Sequence, residues 1–332
     1  MGQGSGKSTV QDDQGTVFWE DHAVSSQGLA GREGAGKIAL IGFGEAGQAF
    51  VKGWGAARAA RTWVYDIKTD HAEAAVRDAK RADYVSLGVT GCASPVEALD
   101  GADLVVCVVT ADQAAKAAEA AARRIAPGAF YFDCNSCAPG TKAANAGIIE
   151  AAGGRYVDTA VMAPVYPRMH KTPLLLSGPH AADALAVLAE LDMDNAKTVD
   201  GPVGASSSIK MIRSVMMKGM EALFLECVLA GRRAGVDGVV LDSLDVTYPG
   251  FDFKAKAAYM MERAMTHGLR RAAEMREVAR TVEDLGLGGA MAAATADWEQ
   301  RVGDLGITAE GDDYGRLADD LLAGLFPRED AA

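Results

Sequence analysis

From Lys37 to about residue 200, short apolar runs alternate with Ala-rich stretches of helical period. This pattern predicts strands at 37–42, 62–66, 84–89, 103–109, 129–133, 155–161, 173–177 and 196–199. Helices are predicted between them at 45–57, 71–81, 111–125, 139–152 and 180–191. Ser94-Pro95-Val96-Glu97 supplies a further helix start, with an N-cap hydroxyl, a first-turn proline and the glutamate of a capping box. Such alternation specifies an α/β fold, a doubly wound and largely parallel sheet with helices on both faces. After Gly201-Pro202 the character changes. No proline interrupts Gly204 to Ala234, where Ala, Met, Leu and Lys predominate. One helix about 45 Å long is expected there, enough to cross between domains. Helical period resumes over 254–285, after a break at Tyr248-Pro249-Gly250. Residues 1–36 are polar, rich in Gly and Ser, and read as a disordered or mobile leader. The expected organisation is therefore a leader (1–36), an α/β domain (37–200) and an all-α domain (201–332).

The first predicted strand runs into Gly42-Phe43-Gly44-Glu45-Ala46-Gly47, a G-x-G-x-x-G turn that opens a helix. Gly42 permits the tight turn, Gly44 lets the backbone approach a pyrophosphate, and Gly47 allows close packing of helix on strand. The helix N-terminus then presents free N–H groups and partial positive charge to phosphates. Asp66 ends the second predicted strand, where its carboxylate can accept hydrogen bonds from adenosine ribose hydroxyls. The α/β domain thus reads as a Rossmann-type NAD(P) domain. Asp66 favours NAD, because a carboxylate repels a 2′-phosphate, while Lys68 two positions on keeps NADP open.

Charge and cysteine content narrow the setting. The 332-residue chain is long enough for two domains and carries a formal net charge of −12. That balance argues against nucleic-acid or anionic-membrane partners. No apolar run approaches membrane-spanning length, and the N-terminus lacks the order of a signal peptide. Five scattered cysteines suit reduced thiols in the cytoplasm. Two motifs imitate other chemistry. Gly2 to Thr9 resembles a P-loop but lacks its first glycine and its preceding strand. Cys134-Asn135-Ser136-Cys137 is a single CxxC without a second pair or a nearby histidine, so packing cysteines are expected and no metal.

Four segments in order resemble the β-hydroxyacid dehydrogenase family, which includes 3-hydroxyisobutyrate and 6-phosphogluconate dehydrogenases. They are Gly42-x-Gly44-x-x-Gly47, Asp133-Cys134-Asn135-Ser136, Asp158-Thr-Ala-Val-Met162-Ala163-Pro164, and Gly201-x-x-Gly204 followed by Lys210. The helical tail resembles a bacterial phosphogluconate-dehydrogenase-like subgroup. The resemblance implies that Lys210 is the general acid/base for hydride transfer between nicotinamide and a small hydroxy acid or its oxo form. A lysine suits that role, since its charge stabilises a developing alkoxide and burial lowers its pKa. It further implies Thr110, Asn135 and Ser136 along the cofactor, and a homodimer packed through the helical domains.

The chain departs from the family at three places. Ser214 stands where the family has asparagine four residues after the lysine, so it reads as the substrate-orienting partner of Lys210. Met162-Ala163-Pro164 replaces the hydroxyl- and glycine-bearing loop that grips the substrate carboxylate. Met217 stands where 6-phosphogluconate dehydrogenase has a second acid, which argues against that enzyme's decarboxylation. If carboxylate binding has moved, the candidate cations are Arg213, Lys218 and His267, with Arg168, His170, Lys171, Arg270 and Arg271 behind them. Lys218 leads this group because it lies two turns beyond Lys210. An imine or ketone reductase of the same fold is the alternative enzyme, although such proteins usually replace the lysine. A non-catalytic NAD(P)-binding module is the alternative of another class.

Overall fold

A computed structural model describes residues 9–11, 17–19 and 36–327. Within the expected leader, β1 (Thr9–Gln11) pairs antiparallel with β2 (Val17–Trp19). The rest of that stretch, including Gly2 to Ser8 of the P-loop imitation, lies outside the described residues.

The main unit is built on an eight-stranded sheet. Its strands are β3 (Ile38–Ile41), β4 (Thr62–Tyr65), β5 (Thr90–Gly91), β6 (Leu104–Cys107), β7 (Phe130–Asp133), β8 (Arg155–Val161), β9 (Leu174–Ser177) and β10 (Ala196–Thr198). The spatial order is β10-β9-β8-β7-β6-β3-β4-β5, and every pair is parallel except β8 with β9. Alternate residues of a strand feed opposite faces. Ile38 and Leu40 join a core with α1 (Glu45–Trp54), while Ala39 and Ile41 join another with α4 (Pro95–Leu99), α5 (Ala114–Ala122) and α6 (Pro139–Ala151). Short α2 (Ala56–Ala59) follows α1, and α7 (Ala181–Glu190) packs into the first core.

One predicted strand is corrected. Of the residues 84–89, the first four form the end of α3 (Ala74–Leu87), and the strand is displaced to Thr90–Gly91. Tyr84 repeats the buried position of Lys80 one helical turn later, which holds the helix through this β-branched stretch. Gly88, left-handed at φ 69°, ends it. The expected helix 111–125 is divided into a 3₁₀ turn at Ala111–Gln113 and then α5. The capping box forms with one difference: Ser94 Oγ accepts from Glu97 N–H (3.2 Å), but the Glu97 carboxylate reaches the N–H of Ala93 (2.7 Å).

Helices α8 (Ala205–Ala234), α9 (Asp237–Thr247), α10 (Phe253–Asp284), α11 (Ala290–Asp304) and α12 (Tyr314–Leu325) complete the chain. The first part of α8 packs on β8, β9 and α6, and its later part enters the helical core with α9, α10, α11 and α12. Among the described residues no helix is long and apolar enough to cross a membrane.

Candidate active site

In a parallel sheet, ligands bind beyond the carboxyl ends of the strands where the winding reverses. Here that reversal lies between β3 and β6, and the glycine turn follows β3. Gly42 takes φ 93°, and a Cβ there would meet Val108 O at 2.4 Å. A Cβ on Gly47 would meet Gly42 O at 2.6 Å, so both positions require glycine. Gly44 faces open space and N-caps α1 without a side-chain capping hydrogen bond. That is a cradle able to take a pyrophosphate on free N–H groups. Glu45 is exposed and Ala46 half-buried at the same terminus.

Phe43 turns inward instead. Its ring is fully buried against Tyr84 at 5.2 Å, its N–H donates to Asp66 Oδ2 (2.7 Å), and its carbonyl accepts from Lys80 Nζ (2.7 Å). Asp66 Oδ1 accepts from Lys68 N–H (2.9 Å). Asp66 therefore secures the turn itself, and its carboxylate keeps further lone pairs for another donor.

The next two strand ends carry Thr110, Asn135 and Ser136. Thr110 is exposed where the 3₁₀ turn begins. Asn135 is buried and committed internally: Oδ1 accepts from Val109 N–H (2.6 Å) and Nδ2 donates to Asp133 Oδ1 (2.7 Å). Its side chain joins the loops after β6 and β7. Ser136 is half-buried and takes the decisive contact, since Lys210 Nζ donates to its Oγ at 2.7 Å.

Lys210 lies in the second turn of α8 and is half-buried. Burial pushes the amine down to about 8; Glu274 opposes this, while Lys218, Lys142 and Arg270 act with burial. One turn on, buried Ser214 donates to the Lys210 carbonyl (2.9 Å), so toward a ligand it offers only acceptor lone pairs. Lys218 is not a free cation. It is buried and paired with Glu274 Oε2 (2.7 Å), while Arg270 takes Oε1 (2.8 Å). Burial raises the Glu274 carboxyl, but Lys218 and Arg270 outweigh it and hold the group well below the usual carboxylate range.

The remaining candidates are dispersed. Arg213 stands on the exposed side of α8 with Ile212 and Met216. His267 of α10 is half-buried; burial, Arg263 and Arg270 push its imidazole down, and it lies within electrostatic reach of Glu45. Met162, Ala163 and Pro164 follow directly after β8, with Met162 N–H donating to Pro173 O (2.9 Å). His170 packs on Gly53 of α1, and Lys171 pairs with Asp194 (2.9 Å). Arg271 is buried between Glu221 and Glu299.

Sequence reasoning missed Lys142 and Glu274 and quoted Asp133 and Asp158 only as motif letters. A buried lysine facing two aspartates on neighbouring strands leaves no periodic trace. Cys134 and Cys137 are buried free thiols, and burial pushes both up to about 12, so neither is a thiolate near neutral pH.

Residues 37–182 match the NAD binding domain of 6-phosphogluconate dehydrogenase, and residues 232–302 match a domain of unknown function (DUF1932). The chain is 36% identical to a conserved hypothetical protein from Sinorhizobium meliloti 1021, over 89% of this chain and 99% of that one, with a TM-score of 0.67. It is 25% identical, over 85% and 98%, to a protein of unknown function whose structure revealed similarity with 3-hydroxyacid dehydrogenases (TM-score 0.60). The 3-hydroxyisobutyrate dehydrogenase of Mycobacterium tuberculosis shares the fold at 13% identity, with a TM-score of 0.63 over 86% and 99% of the two chains. Among curated proteins none matches the chain. The NAD-binding match and the solved relatives support an NAD(P) cofactor, for which the open Gly44 cradle is built. With its dinucleotide domain, its all-helical tail and these relatives, the chain belongs to the β-hydroxyacid dehydrogenase family.

Proposed function

We propose that this protein is an NAD(P)-dependent dehydrogenase of a small hydroxy acid, working reversibly with its oxo counterpart, and that Lys210 is its general acid/base. The observation that carries the reading is the Lys210–Ser136 hydrogen bond of 2.7 Å, made by an amine that burial has brought down to about 8. An amine titrating there exchanges a proton with a substrate oxygen at ordinary pH, which a solvated lysine does poorly. Bound NAD(P) supplies the hydride acceptor or donor. In oxidation Lys210 takes the hydroxyl proton; in reduction it returns one to the oxo oxygen. Ser136 holds the amine in place, and Ser214 orients the substrate hydroxyl through its free lone pairs.

The division of labour follows the chain, with residues 37–200 holding the cofactor and 201–332 the substrate and the dimer contact. We place a homodimer on the apolar side of α8, where Ile212, Met216 and Leu223 are 51%, 64% and 57% exposed. Light scattering at micromolar concentration should return twice the chain mass. The reduced thiols and acidic surface suit the cytoplasm. Asp66 favours NAD, so Asp66→Ala should weaken NAD binding more than NADP binding in paired titrations.

Lys210→Ala should lower turnover by about 10²–10⁴ while NAD binding persists. The assay is NADH absorbance across hydroxy, branched-sugar and aryl-substituted acids. Near-normal turnover in this variant would remove Lys210 from the mechanism.

A further inference from the structure

Lys142 is a fully buried cation with no place in the chemistry above. Its Nζ donates to the Asp133 carbonyl (2.6 Å) and Oδ1 (2.8 Å) and lies 3.5 Å from Asp158 Oδ1. Both aspartates are fully buried. Each holds one half of the Lys210–Ser136 contact.

On the Ser136 side, Asp133 Oδ1 accepts from the N–H (3.0 Å) and Nδ2 (2.7 Å) of Asn135. Its Oδ2 accepts from Tyr156 OH (2.6 Å) and Asn145 Nδ2 (3.3 Å). The residue before Ser136 is thereby locked at both its backbone and its side chain. On the Lys210 side, Asp158 Oδ2 accepts from the N–H groups of Gly204 (3.0 Å) and Ser207 (3.1 Å), the unsatisfied donors at the start of α8. Its Oδ1 takes the Ser207 hydroxyl at 2.6 Å, and Ser177 and Ser206 add further bonds around it. The helix bearing Lys210 is thus fastened at its first turn, three residues from Lys210. One lysine stands between the two fastenings.

We propose that Lys142 is a positioning residue: by bridging Asp133 and Asp158 it sets the loop bearing Ser136 and the helix bearing Lys210 in mutual register, so that the amine is held on the Ser136 hydroxyl. Without the bridge, two like-charged carboxylates in a dry interior repel and the two fastenings part. The inference rests on Lys210 being the acid/base, and its test needs no substrate.

The test is competitive acetylation of Lys210 by acetic anhydride across pH, read by mass spectrometry in the full-length protein. Wild-type Lys210 should label with a midpoint near 8. Lys142→Met should raise that midpoint by about one pH unit or more, a loss of free amine at pH 8 of roughly fivefold or more. Ser207→Ala, which leaves every charge in place, should raise it by a smaller amount, a roughly threefold loss. Ser207→Thr keeps the hydroxyl and should restore the wild-type curve. NAD affinity in the Ser207 variants should stay at the wild-type value, which separates lost register from general loosening. If Lys142→Met does not fold, the Ser207→Ala and Ser207→Thr pair decides. Because Lys142→Met also removes a charge that by itself depresses the Lys210 amine, Ser207→Ala decides: a wild-type midpoint near 8 left unmoved by Ser207→Ala would overturn this inference alone. A wild-type midpoint at the ordinary lysine value would overturn the acid/base reading and this inference with it.

Discussion

In the α/β half one lysine, Lys142, stands between two aspartates; in the helical half one arginine, Arg271, stands between two glutamates, Glu221 and Glu299. Both clusters are buried and both carry one positive against two negative charges. They resolve the excess negative charge differently. Asp133 and Asp158 are surrounded by donors, including a tyrosine hydroxyl, serine hydroxyls and the partial positive charge of the α8 N-terminus. Glu299 Oε2 has no hydrogen-bond partner among the described residues, and burial pushes the Glu299 carboxyl up against the opposing pull of Arg271. The first cluster keeps its charges by hydrogen bonding; the second can shed one by taking up a proton. The fully bonded cluster adjoins Ser136 and the start of the Lys210 helix, where geometry matters, and the incompletely bonded one lies among α8, α10 and α11.

The largest effect expected from breaking this comparison is on stability. Lys142→Met leaves two buried carboxylates facing each other and should destabilise the protein by about 3–5 kcal/mol in urea unfolding. Arg271→Met makes the same formal change and should do less, by roughly a factor of two, because Glu299 can become neutral. Equal losses would show that the two clusters do not differ in kind.

A smaller effect sharpens the contrast. Glu299→Gln should change stability by less than about 1 kcal/mol, since it keeps an oxygen for Arg271 and replaces only Oε2, which makes no hydrogen bond among the described residues. The sign of its pH dependence is also set. A carboxyl titrating higher in the folded state than in the unfolded chain stabilises most when protonated, so this contribution falls as pH rises through the folded value. That part of the stability–pH curve should vanish in Glu299→Gln. A curve identical to wild type would place the titration elsewhere.

The parts of the molecule written as periodic pattern were legible in the chain, and those written as long-range polar pairing were not. Strand-to-helix alternation, the glycine turn and the uninterrupted 205–234 helix each follow from local spacing. The strand expected at 84–89 failed because Tyr84 and Lys80 share a buried helical face, a tertiary fact that β-branched composition conceals. At the site, Lys210 could be read because it follows Gly204 at a recognisable interval. Glu274 lies 64 residues away on another helix, and only folding reveals that it pairs with Lys218, the leading candidate for the substrate carboxylate. Asn135, expected along the cofactor, spends its amide on Val109 and Asp133 for the same reason.

The most direct measurement is the pH dependence of hydroxy-acid oxidation, followed as NADH formation with the best acid from the screen. Lys210 must be neutral to accept the proton, so the rate should rise with pH through a single ionisation near 8 and then level off. Lys210→Ala should lie about 10²–10⁴ lower and lose that ionisation. Lys210→Arg should be comparably impaired, because a guanidinium does not release its proton in this range. A wild-type profile without an ionisation near 8, or an alanine variant that keeps both the rate and the rise, would contradict the account.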